Sequence, residues 1–518
     1  MYTDLRLRFD NFKPITENAL SALKSFQIIH KDDLERTGLN FIRGGNFRKA
    51  AHCLEQCADE AWKNYEISRA EKIYKKILSF TDNNALATRI YIKLGDIYSH
   101  TGKTESAEES YKSAYVLAKS HKCENTKAKV LIKSGDLYFK NGNLVKSLAE
   151  YRKARRYAAK TNDPEINSMV YRGMGINFRA RKKYYIAQRY FKCELKEAIE
   201  TGKKEYIYYA YENLGNCNFN KSNYEFAENS YYKCLSIANE LKNKKFLIQS
   251  NINLGKTSYY QGNYDESRYR FEYSRQMSKT INDHINIAIS SENLANLYLT
   301  TQNYRQAKYL LNLLLKYYLK CNNQKDIAYV YTALGNVSYF LKKYKTAIKY
   351  YHKSYILNKK LNNLKAISFS LGNIGVCLKL LGQYTKALNI IRKQIIIDKK
   401  IQNLEGVIRG YINSGTIYNN FSNYRTSVKF HERAIRLSRK NNLRHHLTVA
   451  SYNCSEMLLK LGNLKKSKKY YEIALKTGLA TKNQEDLHHI NILKTKINQH
   501  QEVLNAAKKQ SIKIDFHE

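Results

Sequence analysis

The sequence predicts an all-α fold, a right-handed superhelical solenoid of stacked antiparallel helix pairs. Three observations carry this expectation. Small residues recur every 40 positions, a second set of small and bulky positions recurs in the same phase, and the chain holds only two prolines, Pro14 and Pro164. A fixed period of this size is the signature of a repeat array, in which each unit packs mainly on its neighbours.

The anchor of the repeat is the glycine of a Leu-Gly pair. It falls at Gly95, Gly135, Gly175, Gly215, Gly255, Ala295, Gly335, Gly375, Gly415 and Ser455, always 40 residues apart. A tyrosine keeps the same spacing at Tyr184, Tyr224, Tyr264, Tyr304, Tyr344, Tyr384 and Tyr424, with Leu144 and Leu464 holding the position near the ends. Three residues further the side chain is small: Ala107, Ser147, Ala187, Ala227, Ser267, Ala307, Ala347, Ala387, Ser427 and Ser467. Four beyond that it is bulky: Tyr111, Tyr151, Phe191, Tyr231, Phe271, Leu311, Tyr351, Ile391, either Phe430 or His431, and Tyr471.

These positions describe a helix pair. The small anchor lets the first helix of each repeat (helix A) approach the second (helix B), and the small residue on B receives it. The bulky side chains are expected to fill the holes between neighbouring pairs. Gly102, Gly142, Gly262, Gly382 and Gly462 sit where helix A must stop and turn. The pattern resembles the tetratricopeptide repeat, whose usual form is roughly 34 residues with small, large, small and aromatic positions in this order. The resemblance covers Asn84 to about Lys482, with ten copies in phase. Copies lengthened in this way look like those of the Pins/LGN family of spindle-orientation scaffolds, of kinesin light chains and of bacterial peptide-sensing regulators. Such a resemblance implies a non-enzymatic scaffold or adaptor, cytoplasmic and soluble, that holds a peptide segment of a partner protein in a concave groove lined by the A helices.

Taken in order, residues 1–31 form an N-terminal segment. It has no basic stretch followed by an apolar run, so it does not read as a secretory signal. Leu20, Leu23, Phe26 and Ile29 fall at helical spacing, as in a capping helix. Residues 32–83 are repeat-like but irregular. Ala50 and Ala70 both match the small position of a helix B but lie only 20 residues apart, which predicts three helices at roughly 32–43, 47–63 and 66–80 with a shared middle one. That middle helix carries Trp62, expected to pack between the three. Residues 84–483 hold the ten regular repeats, with Asn-rich turns such as Asn162-Asp163 and Asn282-Asp283 that tolerate left-handed backbone and offer N-caps. Residues 484–508 are expected to form a terminal capping helix, and 509–518 a frayed tail.

No apolar stretch approaches the roughly 20 residues of a membrane span. No nucleotide-binding glycine loop, zinc-binding HExxH or nucleophile elbow is present. The nine cysteines are scattered. Cys53 and Cys57 lie one helical turn apart with no matching second pair, and the adjacent pairs His445-His446 and His488-His489 diverge around a helix. Neither catalytic residues nor metal ligands nor a cofactor is expected.

Two features rise above this background. Asparagine makes up roughly one residue in ten, yet six of the ten repeats carry it two positions before the anchor: Asn213, Asn253, Asn293, Asn373, Asn413 and Asn453. One position after the anchor come Asn216, Asn296 and Asn336, with Lys256 and Asp136 between. An amide offers donor and acceptor together, so a column of them can grip peptide backbone whatever its side chains. In the resembled repeats these positions line the groove, and asparagines there look like those that hold ligand backbone in kinesin light chains and peptide-sensing regulators. The expected partner is therefore an extended or helical peptide, with Arg89, Lys93, Lys133 and Arg172 adding charge to the same face.

The second feature is a formal net charge of +44, with 89 basic and 45 acidic residues. Heavy joint use of Lys, Asn, Tyr and Ile is the suite an AT-rich genome favours. The charge also suits an acidic peptide, nucleic acid or an anionic lipid surface. Lys342-Lys343, Lys399-Lys400, Arg436 to Lys440 and Lys465 to Lys469 fall on helix B or in turns, which places them outside the groove. The alternative function is accordingly a polyanion binder acting through a basic convex face.

Overall fold

Helices of 17 or 18 residues, joined by turns of two or three, make up the 40-residue period as two equal halves. The computed structural model describes residues 31–120, 123–481 and 483–514; the capping helix expected from Leu20 to Ile29 lies outside them. No strand occurs among the described residues. The chain forms two compact units, Met1–Asn263 and Tyr264–Glu518, each a stack of antiparallel helix pairs.

The turns explain how helices can follow one another so closely. In each described turn of the regular array a residue just past the helix takes a positive φ. At the end of helix A this residue is Gly102, Gly142, Gly262, Gly382 or Gly462 in five repeats, and Lys182, Ser222, Gln302, Lys342 or Ser422 in the other five. Between repeats it is Asn162, Asn282, Asn322, Asn362 or Asn442, with Gly202, Lys242 and Gln402 in the remaining turns. The residue that follows caps the next helix in several copies: the Asp163 side chain accepts from the Glu165 and Ile166 amides, and Asn243, Asp283, Asn323 and Asn363 do the same in their turns.

The first unit opens with helices Lys31–Arg43, Phe47–Lys63 and Ile67–Phe80. The middle one acts as helix B to its predecessor and as helix A to its successor. A Cβ on Gly38 would meet Leu54, sixteen residues on, at 2.7 Å. Ala58 stands at the same interval before the buried Tyr74. Trp62 is partly buried against this core and meets His100 edge-on at 5.3 Å.

In the regular repeats the bulky residue of helix B lies sixteen positions after the anchor and packs on it. A Cβ placed on Gly95, Gly135, Gly175 or Gly215 would come within 2.4–2.7 Å of Tyr111, Tyr151, Phe191 or Tyr231. In the second unit Gly335 meets Tyr351, Gly375 meets Ile391 and Gly415 meets His431 in the same way. The ring therefore sits inside its own pair rather than only in the hole between pairs, because the missing Cβ opens space there. His431, not Phe430, occupies the position in its repeat.

Consecutive A helices approach one another, as Glu124–Lys140, Pro164–Ala180 and Lys204–Asn220 do in the first unit and Leu364–Leu380, Leu404–Asn420 and Arg444–Lys460 in the second. Consecutive B helices stand apart. The A helices thus form the tighter, inner side of each stack. The last helix, Gln484–Ile514, packs on the final pair in the place of a further A helix. It runs past residue 508, because Asn505 to Ile514 contains no helix breaker.

Two substitutions test these constraints by thermal or denaturant melting. Gly335→Ala places a methyl within 2.5 Å of the Tyr351 ring, so the melting midpoint should drop, by about 1–3 kcal/mol of stability. At the left-handed turn positions, Gly382→Ala should cost about 1 kcal/mol. Lys342→Ala, which replaces one residue bearing a Cβ by another at the same φ, should change little.

Candidate functional site

The ten positions singled out on the A helices do not share one environment. In the first unit they belong to a network that neutralises itself. Asn213 and Asn253 are only 7 % and 6 % exposed. The Asn213 amide donates to both carboxylate oxygens of Glu194, and the Asn253 amide donates to Glu212 and accepts from Gln249. Asn216 accepts from the Tyr231 hydroxyl at 2.9 Å. Lys256 is half-buried in the same register.

The cations expected on this face are paired as well. Arg89 and Lys93 both meet Glu55, and Lys93 also meets Asp59. Lys133 lies 2.9 Å from Asp96, and Arg172 lies 2.7 Å from Glu194. Burial opposes the charge on Glu55, but Arg89 and Lys93 hold its carboxyl below the usual range. Glu194 goes the other way. It is fully buried, and burial pushes it up to about 7 although Arg172 and Asn213 both pull it down. Glu212 is also raised by burial, against the Asn253 hydrogen bond.

In the second unit the asparagines are less committed. Asn293 donates to the Ile289 carbonyl one turn back. Asn296 exchanges hydrogen bonds with the Tyr329 hydroxyl, and Asn336 accepts from Tyr351 at 2.8 Å, leaving its amide protons unspent. Asn373, Asn413 and Asn453 are half-buried on the inner side of their A helices and make no side-chain hydrogen bond among the described residues. Beside this column, and in the same 40-residue register, run Tyr329, Phe369 and Arg409. The two rings are about two-fifths exposed, and the Arg409 guanidinium lies 5.8 Å over the Phe369 ring. This face offers amide groups and aromatic surface with little charge.

The basic runs point elsewhere. Lys342, Lys343, Lys399, Lys400, Arg436, Arg439, Lys440, Lys465, Lys466, Lys468 and Lys469 are all exposed, on B helices or in turns, and none forms an ion pair among the described residues. All nine cysteines are free thiols, with Cys53 and Cys57 buried. Among the described residues no group of three or more potential ligands could hold a metal ion, and no helix is long and apolar enough to cross a membrane.

The ion-pair ladder of the first unit was not anticipated from the sequence. A signal for it exists. Where the residue sixteen after the anchor is Tyr, as at Tyr111, Tyr151, Tyr231 and Tyr351, the residue one after the anchor is Asp96, Asp136, Asn216 or Asn336, and it accepts from that hydroxyl. Where the bulky residue is Phe191 or Ile391, the same place holds Ile176 or Val376.

The family model of the tetratricopeptide repeat matches residues 246–320, and a second model of the same repeat matches residues 88–121. The chain carries tetratricopeptide repeats. No curated protein matches its sequence. Among solved structures, the tetratricopeptide-repeat protein is similar to a signal-transduction ATPase with numerous domains and a tetratricopeptide-repeat sensor from Pyrococcus horikoshii. The TM-score is 0.48 and the identity 17 %, over 66 % of this chain and 55 % of that one, so the chain spans about half the length of the ATPase. It is similar to yeast Tom70, with a TM-score of 0.43 and 15 % identity over 89 % of this chain and 99 % of that one. It is also similar to the apo quorum sensor NprR of B. thuringiensis, with a TM-score of 0.48 and 15 % identity over 76 % and 97 %.

Glu194 gives a pH test. The folded protein keeps its proton up to about pH 7, whereas the ordinary value is 4.5. The stability this group contributes is present below the ordinary value and is lost as pH rises through about 7. Glu194→Gln, which cannot ionise, should therefore gain melting temperature relative to the wild type between pH 5 and pH 8, whatever its constant offset. A difference that stays flat over that range would show that Glu194 keeps an ordinary pKa.

Proposed function

We propose that this protein is a non-enzymatic scaffold that holds an extended or helical segment of a partner protein along the inner side of its A helices. The observation that supports this most directly is the column Asn373, Asn413 and Asn453. These amides recur every 40 residues, are reachable from the inner side, and have no partner among the described residues. A half-buried amide without a partner is costly unless water or a ligand satisfies it. Peptide backbone offers the donors and acceptors that match it, and the neighbouring Tyr329 and Phe369 rings offer apolar surface for side chains. The intracellular, soluble setting implied by such a scaffold belongs to the same proposal.

A second reading rests on the outward charge. Lys342, Lys343, Lys399, Lys400, Arg436, Arg439, Lys440, Lys465, Lys466, Lys468 and Lys469 are exposed and form no ion pair among the described residues, so they would attract an acidic protein surface, nucleic acid or anionic lipid.

A pull-down from native cells separates the two. Asn373→Ala, Asn413→Ala and Asn453→Ala combined should remove groove partners by at least tenfold while leaving the melting temperature near that of the wild type, since these amides bond nothing among the described residues. Asn253 is a poor choice for this test, because its loss would take a hydrogen bond from half-buried Glu212. Arg436→Glu, Arg439→Glu and Lys440→Glu combined should leave those partners in place. If recovery ignores the asparagine variant and collapses with the reversed charges or with raised salt, the outer face is the working surface.

A further inference from the structure

The first unit repeats one arrangement twice and then breaks it. Tyr74 donates to Asp59, and Lys93 of the next A helix sets its ammonium 2.7 and 2.8 Å from the Asp59 carboxylate oxygens. Tyr111 donates to Asp96 at 2.7 Å, and Lys133 of the next A helix lies 2.9 Å from Asp96. Each lysine stands two positions before its anchor glycine and reaches back to the preceding repeat.

In the third copy Tyr151 donates to Asp136, but the residue two positions before the next anchor is Gly173. It has no side chain to send back. It cannot carry one without disturbance either, since a Cβ there would lie 2.3 Å from the Tyr151 ring. The two cations whose charge acts on Asp136 are spent, Lys133 on Asp96 and Arg172 on Glu194, and Lys140, four residues on, donates to the Ser99 carbonyl. Asp136 forms no ion pair among the described residues and is exposed. The surrounding protein nonetheless raises its carboxyl above the usual range, despite the Tyr151 hydroxyl and the positive charge of Lys133.

We infer that Asp136 and the Tyr151 hydroxyl receive a basic side chain of a peptide segment held on the inner side of the first unit, a lysine ammonium taking the place that Lys93 and Lys133 fill in the two preceding copies. The inference rests on the peptide-holding reading above and adds a charge requirement at one position of the ligand. A metal ion fits poorly, because only one carboxylate is available. The twofold internal precedent is an ammonium group in each case.

The variant for the test is Asp136→Asn. Its fold should be kept, because Tyr231 and Tyr351 already donate to asparagines, Asn216 and Asn336, at the equivalent place. Phage-displayed 12-residue peptides are selected on the full chain, and the best binder is resynthesised with its basic residue replaced by norleucine. The expected result is a basic residue shared among the selected peptides. Its replacement should weaken binding about tenfold or more on the wild type and less than twofold on Asp136→Asn. Peptides that bind without a basic residue, or a norleucine penalty equal on both proteins, would overturn the inference and leave the peptide-holding reading intact. If the wild type selects no peptide at all, the peptide-holding reading fails and this inference falls with it.

Discussion

The contact between an anchor glycine and the bulky side chain sixteen residues later holds each pair together. A Cβ at the anchor would stand well inside the van der Waals radius of the ring. The absence of that one atom lets helix A settle onto helix B. The fully buried small residues at Ala107, Ser147, Ala187, Ala227 and Ala347 complete the close approach from the other helix. Because both helices of a pair have nearly the same length, the same contact recurs at a constant spacing and the stack can be extended without irregularity.

This packing contact also reaches the inner face. A tyrosine at the bulky position buries its ring in the pair, while its hydroxyl emerges beside the residue that follows the anchor. A buried hydroxyl needs an acceptor, and Asp96, Asp136, Asn216 and Asn336 supply it. Core packing and inner-face chemistry are therefore linked. Where the ring loses its hydroxyl, as at Phe191, or is replaced by Ile391, the inner position is free to be apolar.

The two units use this link differently. In the first, Glu55, Asp59 and Asp96 draw Arg89, Lys93 and Lys133 from the following helix pair, Arg172 meets Glu194 within its own pair, and most of the inner face is satisfied by its own charges. In the second, asparagine acceptors carry no charge, few ion pairs form, and amides remain unspent on the inner side while lysine and arginine crowd the outer one. Of the asparagines chosen from sequence as groove residues, Asn213 and Asn253 are buried behind glutamates, whereas Asn373, Asn413 and Asn453 are reachable. Nothing in the 40-residue register separates these two groups. What separates them is the neighbour: Glu194 and Glu212 stand within reach of the first pair, and among the described residues no carboxylate takes the amides of the others.

By itself the sequence determined the helix pairs, their number and phase, the three helices before Asn84, and the places where the chain turns. These follow from short-range rules. A missing Cβ, a small residue opposite it and an Asn or Asp at a helix start act over a few residues or within one repeat, and repetition makes them legible. Only the tertiary structure decided between Phe430 and His431 at the ring position and left Asp136 without the lysine its predecessors have. It also decided which asparagines are spent. Each of these depends on which side chain from the next repeat reaches a given group first, and that is a matter of distance across the stack rather than of position along the chain.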